Sequence, residues 1–199
     1  DAHYTLANNI DMSAEFNNVS GMWATDRAAT LPTGGGFVPV GSYDNRFTGT
    51  LDGEGHTISG LKINRSTTSG VGLFGYGQGI SNLGLIDVEI TGGDYAGGLV
   101  GRNSGRVDNS FVTGSVNGVD GVGGLVGYND SARITNSHAA VKVTGSGDGV
   151  GGLVGDSYGG NFSDNYATGN VYGENSVGGL IGEAENGTIA NSYATGRVS

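Results

Sequence analysis

The sequence predicts an all-β fold, a right-handed parallel β-solenoid with about three short strands in each turn of 26–28 residues. Two observations carry this prediction, an internal repeat of constant period and short runs of β-branched and aromatic residues between turn-forming residues. A third is the glycine content, 42 of 199 residues, which disfavours helices. The rule for parallel crossovers gives the right-handed winding.

The first repeated element reads Val-Gly-Gly-Leu-Val-Gly, complete at Val122–Gly127 and at Val150–Gly155 and varied elsewhere. Its leucines are spaced by 26, 26, 28 and 27 residues, at Leu73, Leu99, Leu125, Leu153 and Leu180. In a parallel solenoid each turn hydrogen-bonds to the next at about 4.8 Å, so that equivalent residues stack in columns. We therefore expect the leucine column to fill the interior.

A second element keeps the same period and ends in Asn-Ser-Tyr-Ala-Thr-Gly in its last copy, Ile189–Gly196. One position of this element forms a column of asparagines, with one aspartate, at Asn82, Asn109, Asn136, Asp164 and Asn191. Asparagine tolerates the left-handed backbone conformation, and stacked amides can hydrogen-bond from turn to turn. The column therefore predicts a corner of the solenoid.

The domain boundaries follow from where the period begins. Residues 1–46 do not follow it and are predicted to form an N-terminal cap, which includes Trp23, Pro32 and Pro39. Within it, His3–Met12 and Gly36–Gly41 are expected to be strands. Residues 47–199 are predicted to be the repeat solenoid, with a transitional turn at 47–70 and regular repeats at 71–199. Because the sequence stops inside a repeat, we expect the parent chain to continue the solenoid and to supply further domains that contact it.

The composition disfavours several classes of protein. Cysteine is absent, so neither a disulfide scaffold nor a thiolate zinc site is available. Nine basic residues against 19 acidic ones give a net charge of −10, which disfavours nucleic acid as a partner. No apolar run approaches the length of about 18 residues that predicts insertion into a membrane.

The repeats resemble a known family. Gly-Gly-Leu-Val-Gly followed by Asn-Ser-Tyr-Ala-Thr-Gly is similar to the GLUG-motif repeats of bacterial secreted and surface proteins. Phe47–Leu61 resembles the segment that introduces those repeats, and Tyr4–Asp11 resembles the entry strand. Such repeats occur in filamentous-haemagglutinin-like adhesins and in regions upstream of IgA-cleaving metallopeptidases. The resemblance implies an extracellular or bacterial cell-surface location but not one biochemical activity.

We therefore predict a non-catalytic adhesin segment that binds a host, matrix or cell-surface ligand, or a rigid stalk. The alternative is an accessory domain of a secreted enzyme, either an IgA-type peptidase or a polysaccharide-active β-helix. A metallopeptidase needs His-Glu-x-x-His, and the histidines, His3, His56 and His138, are too far apart for it. A minor alternative is an ice-binding face on the threonines of the second element.

Two sets of residues are candidates for binding a host or matrix glycan or protein. One is an aromatic column with spacings of 27, 28 and 27, at Phe111, His138, Tyr166 and Tyr193. It is either a ladder of stacked rings or a surface for sugars or proteins. The other is a basic group, Arg102, Arg106 and Arg133.

An acidic column, Asp94, Asp120, Asp148 and Glu174, precedes the leucines. Aspartate beside glycine favours turns, and carboxylate oxygens also bind calcium. Turn chemistry is the favoured interpretation, because the Gly-Gly-x-Gly-x-Asp nonapeptide of calcium-binding β-rolls is missing. Calcium remains an alternative, and no other cofactor is predicted.

Overall fold

The structure, a computed structural model, describes residues 2–17 and 35–199. Trp23 and Pro32, which the sequence assigns to the cap, lie outside these residues. The described part consists almost entirely of short parallel strands, which stack as a β-solenoid of about five turns. The predicted fold class is confirmed.

The chain begins with two strands and one short helix: β1 (His3–Thr5), β2 (Ile10–Asp11) and α1 (Ser13–Asn17). The strands that follow up to the first regular turn are β3 (Thr50–Asp52), β4 (Thr57–Ser59), β5 (Lys62–Asn64), β6 (Phe74–Gly77), β7 (Ile80–Ser81) and β8 (Gly84–Thr91). Two regular turns then contain β9 (Ala96–Gly97), β10 (Val100–Asn103), β11 (Val107–Asp108), β12 (Phe111–Gly118), β13 (Val122–Gly123), β14 (Val126–Asp130), β15 (Arg133–Thr135) and β16 (His138–Gly145). The last strands are β17 (Val150–Gly151), β18 (Val154–Tyr158), β19 (Asn161–Ser163), β20 (Tyr166–Ala167), β21 (Val171–Tyr172), β22 (Val177–Gly178), β23 (Ile181–Glu185), β24 (Thr188–Ala190) and β25 (Tyr193–Ala194).

These strands form four parallel sheets that run along the solenoid. The seven-stranded sheet has the order β1-β3-β7-β11-β15-β19-β24, and the five-stranded sheet has the order β23-β18-β14-β10-β6. The nine-stranded sheet has the order β2-β4-β8-β12-β16-β20-β25, with β5 and β21 as additional strands. The four-stranded sheet has the order β22-β17-β13-β9.

A regular turn contains four strands where the sequence predicts about three. The difference lies in Val-Gly-Gly-Leu-Val-Gly, which holds two strands on two sheets, such as β13 and β14. The chain bends between them, and the N–H groups of Leu125 and Val126 both donate to the carbonyl of Leu153 in the next turn. Glycine makes this bend compatible with the backbone, because a Cβ on Gly123 would lie 2.0 Å from the Val126 carbonyl oxygen.

The interior is a stack of apolar columns, as predicted. Leu99, Leu125 and Leu153 are fully buried, while Leu180, in the last turn, is only partly buried. The asparagine column lies at a corner: Asn82, Asn109, Asn136, Asp164 and Asn191 all have positive φ, between 45° and 60°. Part of it forms the expected amide ladder, since Asn109 donates to Asn82 at 2.7 Å and Asn191 donates to Asp164 at 3.1 Å.

The N-terminal residues continue the stack at its first end. Strand β1 pairs with β3, and β2 pairs with β4, so that two strands rather than one come from the predicted strand His3–Met12. Met12 and Phe16, beside and within α1, are buried against the apolar core. Gly36–Gly41 is not a strand and makes only two isolated bridges, Gly36 with Ile63 and Val40 with Phe74.

Candidate functional site

The aromatic column forms a continuous stack of rings on the nine-stranded sheet. Neighbouring ring centres are separated by 5.1 Å between Phe111 and His138, 4.4 Å between His138 and Tyr166, and 5.4 Å between Tyr166 and Tyr193. Each pair is nearly parallel, at 8°. Burial lowers the pKa of His138, which favours the neutral ring within the stack.

This geometry determines which ring surfaces a ligand can reach. The faces of His138 and Tyr166 are covered by their neighbours, so these rings present edges and not faces to the outside. Sugars stack on the faces of aromatic rings, whereas stacked rings stabilise adjacent strands. Tyr193, which is 55% exposed, is the ring at the end of the column. The geometry favours the ladder interpretation, and ligand binding by this column stays a prediction.

The acidic column is placed in the turns before the four-stranded sheet. The backbone N–H of Asp148 donates to Oδ1 of Asp120 at 2.8 Å, which is turn chemistry. Val150 pairs with Val177, so the residue two positions before the paired valine is Asp148 in one turn and Asn175, not Glu174, in the next. Among residues 2–17 and 35–199, no group of three or more His, Asp or Glu side chains is arranged to hold a metal ion. Calcium binding by this column stays a prediction.

A half-buried carboxylate beside that column was not predicted from the sequence. Asp156 lies in β18 between Tyr128 and Glu183 of the neighbouring strands. Its Oδ1 atom is shielded from solvent and has no hydrogen-bond partner. Burial, together with the negative charges of Glu183, Asp120 and Asp148, raises the pKa of Asp156 to about 7. The repeat pattern gave no sign of this, because tyrosine, arginine and glutamate occupy equivalent positions.

We expect Asp156 to make stability depend on pH. Its pKa is about 7 in the folded protein and near its ordinary value of 3.8 in the unfolded chain, so the folded state binds the proton more tightly. Stability should therefore fall as the pH rises from about 4 to above 7. Because the side chain is only half-buried, solvent screening reduces the effect, and we expect about 1–2 kcal/mol.

Thermal melts of Asp156→Asn between pH 4 and pH 9 check this. The variant should melt above the wild type at pH 8 and should lose that advantage at pH 4. Asp44→Asn, which alters an exposed carboxylate in a loop, is the matched control and should follow the wild-type curve. Equal melting temperatures of Asp156→Asn and wild type at pH 8 would contradict the assignment.

The three candidate arginines occupy two different sheets. Arg133 is exposed in β15 of the seven-stranded sheet, and Arg106 precedes the paired strand β11. Arg106 forms a salt bridge with Asp108 at 2.8 Å. Burial alone would raise the pKa of Asp108, but hydrogen bonds from Thr135 and Asn136 and the charge of Arg106 hold it below its ordinary value. Arg102 lies in β10 of the five-stranded sheet, so the structure does not unite the three in one site.

Arg102 instead belongs to a cluster of tyrosines and arginines that the sequence did not predict. Its guanidinium carbon is 4.5 Å from the ring centre of Tyr128, 5.2 Å from that of Tyr95 and 6.0 Å from that of Tyr76. Arg46 reaches the same cluster, at 5.9 Å from the Tyr76 ring. We call these residues, together with Tyr43, the tyrosine–arginine cluster. Arg46 was missed because it lies before the first regular repeat.

Two cavities border this cluster. One of about 330 Å³ is lined by residues that include Val38, Pro39, Tyr43, Arg65 and Tyr76. A smaller recess of about 50 Å³ is lined by Arg46, Tyr76, Arg102 and Asp130, among others. Tyr76 therefore lies between the two cavities. The rings here are tilted or edge-on, since Tyr43 meets Tyr76 at 81°, so this cluster is built differently from the parallel ladder.

One pattern typical of a serine nucleophile elbow, Gly-x-Ser-x-Gly, occurs at Gly155–Gly159. Ser157 lies within β18 and is 4% exposed, and its hydroxyl donates to the Gly159 carbonyl at 2.6 Å. A nucleophile elbow needs an exposed serine on a turn from a strand into a helix. Ser157 has neither property and is a structural residue.

In the part of the chain that the structure describes, no helix is long and apolar enough to cross a membrane.

A scan against protein families matches the GLUG motif at residues 92–117, 118–144 and 173–199. The intervening residues, 145–172, form strands β17 to β21 in register with their neighbours, and β20 and β21 together pair with the single long strand β16. The resemblance seen in the repeats is thereby confirmed.

Two curated relatives are each 38% identical to this chain. One is halomucin of Haloquadratum walsbyi, matched over 153 residues, which are 72% of this chain and 2% of that protein. The other is named a Gly-rich membrane protein, from Evansella cellulosilytica, and is matched over 119 residues, 55% of this chain and 12% of that protein. This chain therefore spans a small part of both relatives, and neither name is that of an enzyme.

A solved structure with a similar fold is a Bacteroides ovatus protein provisionally named an immunoglobulin A1 protease. The match has a TM-score of 0.74 and covers 99% of this chain and 60% of that chain. At 20% sequence identity, the likeness concerns the fold alone.

Proposed function

This chain is a parallel β-solenoid that contains GLUG-motif repeats, and from that premise we propose that it is a non-catalytic extracellular adhesin segment. It would bind a host, matrix or cell-surface ligand, or hold a binding domain away from the cell as a rigid stalk. The observation that carries the proposal is the stacking of strands from β1 to β25 over the described residues, in which every named pair is parallel and the register shifts between β8 and β12.

The stacking suits a part that projects from a surface. Each turn adds about 4.8 Å of length, and the columns of Leu99, Leu125 and Leu153 make the turns one continuous core. The names of the relatives support a surface location, since one is a halomucin and the other a membrane protein. These names support the proposed location outside the cell.

The second candidate function is an accessory domain of a secreted enzyme. It is supported by the Bacteroides ovatus protein, whose name is that of a protease and whose chain shares this fold over 60% of its length. In that case, the solenoid would carry or position a catalytic domain supplied by another part of the parent chain. The two candidates differ in whether the solenoid itself binds a ligand.

An array of glycans and matrix proteins, probed with the purified chain, tests the proposal. The array should be run in calcium and in chelator, because the acidic column is a candidate calcium site. A reproducible hit supports a binding segment, and a uniformly negative array leaves the stalk and the accessory domain.

Thermal melts of the same protein test the calcium hypothesis separately. If the acidic column binds calcium, the melting temperature should be higher in millimolar calcium than in chelator. Equal melting temperatures in the two conditions would remove the calcium hypothesis.

A further inference from the structure

The tyrosine–arginine cluster contains two guanidinium groups without a carboxylate partner. Within residues 2–17 and 35–199, the ion pairs are Lys62 with Glu89 and Arg106 with Asp108, and neither involves Arg46 or Arg102. Arg46 is exposed and rests on the rings of Tyr43 and Tyr76, at 5.7 and 5.9 Å. In a chain of net charge −10, free guanidinium groups on one face provide a local site for an anion.

The cavity beside Tyr43 and Tyr76 has the shape to take a sugar ring. Arg46 does not line it but lies over both tyrosine rings and lines the adjoining recess. The cavity of about 330 Å³ is at the lower end of the size of ligand sites, and the Tyr43 side chain that lines it is 64% exposed. Tyrosine offers an apolar face for the C–H groups of a sugar and a hydroxyl for its polar edge. Thr68 and Ser69 line the same cavity and can exchange hydrogen bonds with sugar hydroxyls.

The anion and the sugar can be bound together because Arg46 lies over both tyrosine rings. The planar guanidinium can hold a carboxylate through two parallel hydrogen bonds, and its carbon lies 5.7 Å from the ring centre of Tyr43 and 5.9 Å from that of Tyr76. Arg102, in β10, adds positive charge at the smaller recess, which Asp130 also lines. The aromatic column does not offer a comparable site, because its stacked rings cover one another's faces.

We propose that Arg46, Tyr43 and Tyr76 form a binding site for carboxylated sugars, with the carboxylate on Arg46 and the sugar ring against Tyr43. The inference rests on the proposed function of a ligand-binding segment and assigns that segment a site and a ligand class. It shifts the expected site from the repeats, where the sequence predicted it, to the first turns of the solenoid.

Isothermal titration with three oligosaccharides tests the assignment. Hyaluronan hexasaccharide carries carboxylates, κ-carrageenan hexasaccharide carries sulfates alone, and chitohexaose is neutral. Wild type should bind the first and bind chitohexaose at least about tenfold more weakly, since charge-assisted hydrogen bonds are lost. Arg46→Gln and Tyr43→Ala should each weaken hyaluronan binding about tenfold or more. Arg197→Gln removes the same charge from an exposed position in the last turn and should change the affinity by less than about twofold.

The outcomes separate this inference from the proposed function. Thermal melts of Arg46→Gln and Tyr43→Ala matching the wild type would establish that any lost affinity comes from the site. Hyaluronan binding that both variants leave unchanged would overturn the site, although the segment would still bind a ligand. A preference for the sulfated or neutral oligosaccharide, or array hits on proteins only, would overturn the ligand class. An absence of any hit on either sugars or matrix proteins would overturn the site and the binding function together.

Discussion

Replacing Gly151 with alanine is expected to destabilise the solenoid by about 3 kcal/mol or more. A Cβ at this position would lie 1.8 Å from the Val154 carbonyl oxygen and 2.6 Å from the Gly182 nitrogen. Both are backbone atoms, one in β18 and one in the neighbouring strand β23, so no side-chain movement can make room. At about 2–4 °C per kcal/mol for a chain of this size, the melting temperature should fall by roughly 10 °C.

Gly179→Ala is the matched control, because it changes a glycine of the same motif in the last turn. The atoms nearest to its added Cβ are side-chain methyl carbons, Ala194 at 3.0 Å and Val198 at 3.6 Å. We expect a change within about 1 kcal/mol. Gly123→Ala, whose Cβ would meet the Val126 carbonyl oxygen at 2.0 Å, should reproduce the large loss one turn away. A Gly151→Ala variant as stable as Gly179→Ala would contradict the role assigned to the bend.

The fold was predictable because the structure restricts which residue types can occupy the repeating positions. The leucine column must be apolar to fill the interior, and the corner column must tolerate positive φ, which explains the recurrence of asparagine. The fourth strand was not predictable from the same pattern. Val-Gly-Gly-Leu-Val-Gly reads as one short apolar run, and only the close approach at Gly123 and Gly151 reveals the bend within it.

The candidate site was predictable only where it follows the repeat. The spacing of Phe111, His138, Tyr166 and Tyr193 correctly placed four rings in one column, because register alone determines that contact. The tyrosine–arginine cluster depends on contacts outside the repeat period, since Tyr43 and Arg46 lie in a loop that packs on β6. Asp156 was missed for a related reason: no single residue type marks its column, and its environment arises from neighbours in several turns.

A polar column inside the solenoid leads to the second large expected effect, which concerns Asn129. Its side chain is fully buried and is the centre of a hydrogen-bond network. The amide oxygen accepts from Asn103 at 2.9 Å, and the amide nitrogen donates to the Ala132 carbonyl at 3.0 Å. Asn129→Leu keeps a buried side chain of similar reach but leaves an amide and a carbonyl without partners, each at a cost of about 1–3 kcal/mol. We expect a loss of about 2–4 kcal/mol, visible as a fall of roughly 10 °C in the thermal melt.

The next turn supplies the control for this prediction. Ser157 pairs in register with Asn129. Its hydroxyl finds a hydrogen-bond partner inside the solenoid by donating to the Gly159 carbonyl at 2.6 Å. Asn129→Ser should therefore recover part of the stability that Asn129→Leu loses, although serine is smaller and leaves some space unfilled. If leucine and serine destabilised equally, packing and not hydrogen bonding would be the role of the column. A stable leucine variant would show that the interior tolerates an entirely apolar column, and that the asparagines do not hold successive turns together.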